Sequence, residues 1–221
     1  MSDLPAGRRP PGKRRLVLWR HGQTTWNVEH RFQGKTDVPL DETGIAQAQR
    51  AARLLAGLRP TAIVSSTLQR AAHTAQSLAD VTGLTVTHDP DLIERDGGKW
   101  EGLTGTEIRE RYPAEHAIWQ PPGGETSTQV AKRVGAALER ALDRLPVDGV
   151  LVAASHGAAL RLGMAHLLGL PEETWERLGG LSNCCWSVIA EMRDGGWRLV
   201  EHNAGTLPEP VLSDDRPAVT G

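Results

Sequence analysis

Two histidines and two arginines stand just after apolar runs of this 221-residue chain. Arg20 and His21 follow one such run, Arg70 comes shortly after a second, and His156 follows a third. Guanidinium groups can clamp phosphoryl oxygens through paired hydrogen bonds. A neutral imidazole placed in line with phosphorus can attack it and form a covalent intermediate. The set predicts phosphoryl-transfer chemistry, with His21 as the nucleophile and a phosphohistidine intermediate.

A second histidine and a carboxyl group supply the remaining chemistry. His156 can donate to phosphoryl oxygens and stabilise the charge of the transition state. The leaving oxygen also needs a proton donor, and Glu94, just beyond a weaker apolar stretch, is the candidate. Each residue taken singly would be interpreted as structural or merely exposed, so the hypothesis depends on their meeting at one place.

Strand and helix patterns alternate along the chain. Short continuous apolar runs predict strands buried on both faces, at residues 16–19, 62–64 and 150–154, with a weaker strand at 84–87. Apolar residues at helical spacing predict helices over residues 41–55, 68–79, 126–145 and 158–168. Two further runs, at residues 186–191 and 197–201, flank Asp194-Gly195-Gly196 and predict a closing β-hairpin.

This alternation predicts an α/β fold with a mostly parallel sheet covered by helices on both faces. Ligands of such sheets bind at the carboxyl ends of the strands, where the two arginines and two histidines stand. We expect one domain over residues 14–207, after a flexible basic arm at 1–13 and before an irregular tail at 208–221.

Composition excludes several other classes of protein. A net charge of −2 provides no global basic field for nucleic acid. No run of 18 apolar residues could span a membrane, and the first residues lack the apolar core of a secretory signal. Cys184 and Cys185 are the only cysteines and are adjacent, which is typical of a cytoplasmic protein without a disulfide framework. No CxxC or HExxH pattern indicates a metal site, and we expect no cofactor.

Six short segments form a longer pattern in a fixed order. They are LWRHGQT at 18–24, RFQG at 31–34, RA with TA at 70–75, WEG at 100–102, GGET at 123–126 and SHG at 155–157. This order resembles the histidine phosphatase superfamily in its phosphoglycerate mutase-like branch, from Arg15 to about Asn203. The resemblance implies a three-layer α/β/α sandwich with one antiparallel strand in its sheet and no metal ion.

The resemblance also implies a role for each matching residue. Catalysis would belong to His21, Glu94 and His156; phosphate binding to Arg20, Asn27, Arg70 and His156; and substrate binding to Gln33 and Gly34. The residue types alone lead to the same roles for the histidines, the arginines and Glu94. The two lines of reasoning differ at Asn27, which the residue types alone would indicate to be a helix cap.

Two features bear on the branch of the family. Glu94 and His156 are only 62 residues apart, which is similar to the phosphatases and shorter than in the mutases. The segment LGGLSN at 178–183, with Trp186, resembles phosphatases of the family that act on a phosphoglycerate derivative. The same segment could equally be the lead into a strand, packed in the core.

The leading prediction is metal-independent hydrolysis of a small phosphorylated metabolite, with a phosphoglycerate derivative as one candidate. A cofactor-dependent phosphoglycerate mutase and a catalytically silent protein that binds phosphorylated ligands are the alternatives. The intact set of five residues argues against the silent protein. We expect no nucleic-acid or membrane partner, and a homodimer is left open.

Overall fold

Residues 14–205 are described in the computed structural model of the chain. The basic arm at 1–13 and the tail at 208–221 lie outside the described residues. The strands within the described part are β1 (Arg15–Arg20), β2 (Ala62–Ser65), β3 (Val86–His88), β4 (Val150–Ser155), β5 (Trp186–Glu191) and β6 (Trp197–Ala204). The α-helices there are α1 (Thr25–Val28), α2 (Glu42–Ala56), α3 (Gln69–Thr82), α4 (Gly105–Arg111), α5 (Pro113–Ala117), α6 (Ser127–Asp143) and α7 (Gly157–Leu167).

The six strands form one sheet in the order β3-β2-β4-β1-β5-β6. Pairing is parallel from β3 to β1, whereas β5 runs antiparallel to both β1 and β6. The predicted α/β fold, with a mostly parallel sheet and one antiparallel strand, is confirmed. The closing hairpin is confirmed as β5 and β6.

Strand β1 shows how the sheet separates two cores. Successive side chains of a strand point to opposite faces, so alternate residues enter different layers. Leu16 and Leu18 pack with apolar residues of α6 and α7 on one face. Val17 and Trp19 pack with α2 and α3 on the other. This three-layer arrangement explains why the run is continuously apolar.

The two longest helices, α2 and α6, begin where side chains cap their first turns. Asp41 accepts a hydrogen bond from the backbone of Gly44 before α2, and Thr126 forms a capping box with Gln129 before α6. The four predicted helices are found within a few residues of their expected ends. The analysis of apolar spacing did not predict α1, α4 or α5, which are short. No described helix is long and apolar enough to cross a membrane.

Candidate active site

The carboxyl ends of three neighbouring strands meet at one edge of the sheet. In the strand register Arg20 of β1 pairs with Ser155 of β4, and Ser65 of β2 pairs with Ala154. The segments that follow these strands therefore lie side by side. A pocket of about 210 Å³ opens there, lined by Arg20, His21, Asn27, Arg31, Phe32, Gln33, Gly34, Arg70, Glu94, Arg95, Trp119, Ala158 and Arg161.

His21 is almost fully buried beside the pocket, and its ring nitrogens are not equivalent. Nδ1 lies 2.7 Å from the carbonyl oxygen of Gly22, which can only accept, so Nδ1 carries the proton. Nε2 is then the nitrogen with a free lone pair. Burial, followed by the charges of Arg20 and Arg70, holds the pKa of His21 well below 6.5. The imidazole is therefore neutral at pH 7, as a nucleophile must be.

The glycine after His21 allows a close contact between two segments. A Cβ atom at Gly22 would lie 2.4 Å from the carbonyl oxygen of Gly44, in the first turn of α2. Glycine therefore allows the loop that carries His21 to pack directly against this helix.

His156 lies next to His21, with 5.2 Å between the two ring centroids. Its Nε2 is 2.8 Å from Oγ of Ser66, which also accepts from the backbone N–H of Leu68 at 3.2 Å. If the Ser66 hydroxyl donates to Nε2, then Nδ1 of His156 carries the proton. That Nδ1 is buried without a hydrogen-bond partner. Burial, followed by the charge of Arg70, holds the pKa of His156 well below 6.5.

The two arginines are held in place by backbone carbonyl groups. Arg20 donates from Nη1 to Leu181, and Arg70 donates from Nη1 and Nη2 to Thr36 and Gly34 at 2.8 and 2.9 Å. The Nε atoms of both arginines are buried without a partner. Burial lowers the pKa of Arg70 to about 10, so its charge persists at neutral pH.

Among the described residues, the buried side-chain nitrogens without a hydrogen-bond partner are Nε of Arg20, Nε of Arg70, Nδ1 of His156 and Nε1 of Trp100. The first three belong to the predicted phosphate-binding residues, and Nδ1 of His156 is a donor when the Ser66 hydroxyl donates to Nε2. Buried polar groups are almost always hydrogen-bonded, so such a cluster calls for a ligand. A tetrahedral oxyanion has the acceptors and the charge to satisfy them. This fit is the strongest structural evidence for a phosphoryl group in the pocket.

Glu94 reaches the pocket from the loop after β3. Its carboxylate oxygens accept from the backbone N–H groups of Ala159 at 2.9 Å, Ala158 at 3.2 Å and Arg95 at 2.8 Å. These bonds fix the carboxyl group at the start of α7, directly after His156. The neighbouring carboxylate of Asp96, two residues further along the chain, forms a 2.8 Å ion pair with Lys35 and does not line the pocket.

The other predicted binding residues are also brought to the pocket. Asn27, Gln33 and Gly34 line it. The Asn27 oxygen accepts from the backbone of Thr24, so Asn27 completes a capping box for α1, and only its Nδ2 can donate to an anion. The Gln33 oxygen is buried without a partner, and Gly34 contributes the carbonyl group that holds Arg70.

Asn183 was missed as an active-site residue. Its Nδ2 lies 3.1 Å from the carbonyl oxygen of His21, 3.2 Å from that of Gly22 and 3.1 Å from Oδ1 of Asn27. The segment 178–183 also supplies Leu181, whose carbonyl holds Arg20 and whose side chain is buried in the core. The interpretation of this segment as a lead into a strand that packs in the core is confirmed for Leu181. No local pattern shows that Asn183 reaches His21.

The described residues offer neither a metal site nor a reactive thiol. No group of three or more His, Cys, Asp or Glu side chains in residues 14–205 is arranged to hold a metal ion. Cys184 is buried and Cys185 is half-buried, and both are free thiols. Burial raises the pKa of Cys184 to about 12, so its thiol is not a nucleophile at neutral pH.

A neutral buried histidine, two arginines and a carboxyl group line one small pocket of an α/β sandwich, and a second histidine packs against the first. This arrangement is typical of phosphoryl-transfer enzymes. Comparison with known proteins agrees with this class. The chain belongs to the histidine phosphatase superfamily (branch 1), whose family model matches residues 16–205. It is a phosphomonoesterase of the histidine phosphatase type.

Relatives of the chain include phosphatases and a mutase. Glucosyl-3-phosphoglycerate phosphatase of Mycobacterium tuberculosis is 37% identical over 211 residues, which cover 86% of this chain and 95% of that protein. A probable phosphoglycerate mutase of Yersinia pestis is also 37% identical, over 189 residues that cover 82% of this chain and 86% of the relative. A mycobacterial glucosyl-3-phosphoglycerate phosphatase solved with VO3 superposes with a TM-score of 0.83, is 38% identical and covers 87% of this chain and 100% of its own.

Proposed function

We propose that this protein hydrolyses a small phosphomonoester through a phosphohistidine at His21, without a metal ion or other cofactor. The single observation that carries the proposal is the cluster of three unpartnered buried donors beside the His21 ring. The donors belong to Arg20, Arg70 and His156. In this proposal they bind the non-transferring oxygens, and Nδ2 of Asn27 donates a further hydrogen bond.

In the first step, the lone pair of His21 Nε2 attacks phosphorus, and the bond from phosphorus to the ester oxygen breaks. The hydrogen bond from Nδ1 to Gly22 stabilises the positive charge that the ring gains. Glu94 gives its proton to the leaving oxygen, so the alcohol departs neutral.

In the second step, water attacks the phosphohistidine on the side that the alcohol has left. The Glu94 carboxylate takes a proton from this water, the bond from phosphorus to Nε2 breaks, and inorganic phosphate is released. The ring returns to its neutral form and Glu94 to its acid form. Arg20, Arg70 and His156 hold the same oxygens in both steps, so they stabilise both transition states.

We further propose a phosphoglycerate derivative as the substrate, with glucosyl-3-phosphoglycerate as the first candidate. The pocket is below the roughly 300–1,000 Å³ of a typical ligand pocket, which favours a small metabolite. Arg31 and Arg161 line it beyond the phosphate donors, and their charges suit the carboxylate of a glycerate. Relatives from Mycobacterium tuberculosis and Mycolicibacterium vanbaalenii both carry this phosphatase name.

A mutase would use the same phosphohistidine but must retain its product and phosphorylate it again. The short separation of Glu94 from His156 and the longer match to the phosphatase relatives favour hydrolysis. A single domain over residues 14–207, a cytoplasmic location and the absence of nucleic-acid and membrane partners stay predictions.

The test is a screen of phosphomonoesters in EDTA, run beside a mutase assay with and without 2,3-bisphosphoglycerate. We expect phosphate release to survive chelation and kcat/KM to be highest for glucosyl-3-phosphoglycerate. Activity lost in EDTA and restored by Mg²⁺ or Zn²⁺ would contradict the metal-independent mechanism. Isomerisation of phosphoglycerate faster than its hydrolysis would make the protein a mutase.

A further inference from the structure

Trp119 is an unusual residue at the rim of the active-site pocket. Its side chain lines the pocket and is 43% exposed, although it is a large aromatic ring. Its backbone has φ of +49°, a left-handed conformation that bulky residues rarely adopt. Such outliers persist only where the surroundings hold them, and they cluster at ligand sites.

The surroundings hold Trp119 from two sides. Its ring packs against Trp100, which is fully buried, with 5.1 Å between centroids, and against His116 at 5.5 Å. Its carbonyl oxygen accepts from Nη2 of the buried Arg95 at 3.0 Å. The indole is therefore fixed before any ligand binds, so little side-chain entropy is lost on binding.

Its position determines what it can contact. The phosphoryl group occupies the donors of Arg20, Arg70 and His156, so the ester alcohol extends toward the rim. An exposed aromatic ring there offers a flat apolar surface in a pocket that is also lined by the charged side chains of Arg31 and Arg161. A glycerate without a sugar has no apolar face that could pack on the indole ring. A pyranose ring does, because the C–H bonds of a hexose face form an apolar patch between its hydroxyl groups.

We propose that Trp119 binds the sugar ring of the leaving alcohol and so selects glycosylated phosphoglycerates over 3-phosphoglycerate itself. This inference rests on the proposed phosphatase function and specifies its substrate class. Trp119 is a specificity-determining residue here and takes no part in the bond-breaking steps.

The test compares substrates with and without a ring: glucosyl-3-phosphoglycerate against 3-phosphoglycerate, and glucose 6-phosphate against glycerol 3-phosphate. Trp119→Ala should lower kcat/KM roughly tenfold on the ring-bearing members, mostly through KM, and by less than about twofold on the others. Trp119→Phe should retain most of the ring preference, whereas Trp119→Leu should lose it. Ile118→Ala is the matched control, because Ile118 is the exposed neighbour outside the pocket lining.

Equal losses on ring-bearing and ringless substrates would overturn the proposal and leave Trp119 as packing for Trp100. An unchanged Trp119→Ala enzyme would also overturn it. If Trp119→Ala does not fold, the contrast between the Phe and Leu variants decides. If the wild-type enzyme does not hydrolyse glucosyl-3-phosphoglycerate, that compound is ruled out as the substrate. The comparison of glucose 6-phosphate with glycerol 3-phosphate would still test the role of Trp119.

Discussion

Nδ1 of His21 donates to the carbonyl oxygen of Gly22 across 2.7 Å, and this contact leaves Nε2 as the ring nitrogen with a free lone pair. The same carbonyl oxygen accepts from Nδ2 of Asn183 at 3.2 Å. Asn183 leads into β5, far from the nucleophile in sequence, yet it also bonds the carbonyl of His21 itself. The position of the proposed nucleophile therefore depends on Asn183, which bonds its backbone and that of Gly22.

We predict that Asn183→Ala lowers kcat roughly 10- to 100-fold and changes KM little, because a misdirected nucleophile slows the reaction without removing the phosphate donors. Asn183→Asp should show a similar loss, since a carboxylate cannot donate to the carbonyl groups. Ser182→Ala, at the exposed neighbour, is the control. Steady-state kinetics give the two parameters. Wild-type kcat in the folded Ala variant would contradict a positioning role.

We predict that Glu94→Gln slows alkyl phosphates far more than aryl phosphates. An activated phenolate leaves without protonation, so it has little need of the acid. The measurement is the loss of kcat/KM on glycerol 3-phosphate and on p-nitrophenyl phosphate. Asp96→Asn is the control and should leave the ratio unchanged, because Asp96 is paired with Lys35. Equal losses on both substrates would mean that Glu94 only shapes the pocket.

We predict that the protein loses stability as the pH falls below about 6.5, the usual pKa of histidine. His21 and His156 have lowered pKa values in the folded state, so the unfolded chain binds more protons in this window. Each should contribute a slope of up to about 1.4 kcal/mol per pH unit to the free energy of unfolding.

Urea unfolding between about pH 7.5 and 5.5 measures this slope. His156→Gln should reduce the pH slope of the free energy of unfolding by the contribution of one histidine. The control Ser182→Ala, at an exposed site, should leave the slope unchanged. A free energy of unfolding that stays flat across this range would contradict neutral buried histidines.

The sequence allowed the catalytic centre to be predicted more fully than its surroundings. Arg20, His21 and His156 follow strands whose apolar runs are unmistakable, and the parallel register brings such residues together. Helix α4 was missed, although Thr104 and Glu107 form a capping box that the spacing T-x-x-E could have revealed.

Asn183 and Trp119 could not be found in this way. Asn183 meets His21 only because β5 pairs beside β1, a contact that spans most of the chain. The left-handed backbone of Trp119 depends on the buried Arg95, which holds its carbonyl group. The contact of Asn183 with His21 and the backbone conformation of Trp119 both depend on residues far away in sequence. Periodicity and motif spacing therefore cannot predict them.

The central claim, a phosphoryl group carried by Nε2 of His21, can be tested by trapping the intermediate. The enzyme is mixed with an excess of substrate, quenched in alkali to preserve phosphohistidine, and analysed by peptide mass spectrometry and ³¹P NMR. We predict a phosphoryl adduct on His21, with the NMR signature of an Nε2-phosphorylated ring, that is absent from His21→Ala. An adduct on another residue, on Nδ1, or none at all under conditions of rapid turnover would contradict the mechanism.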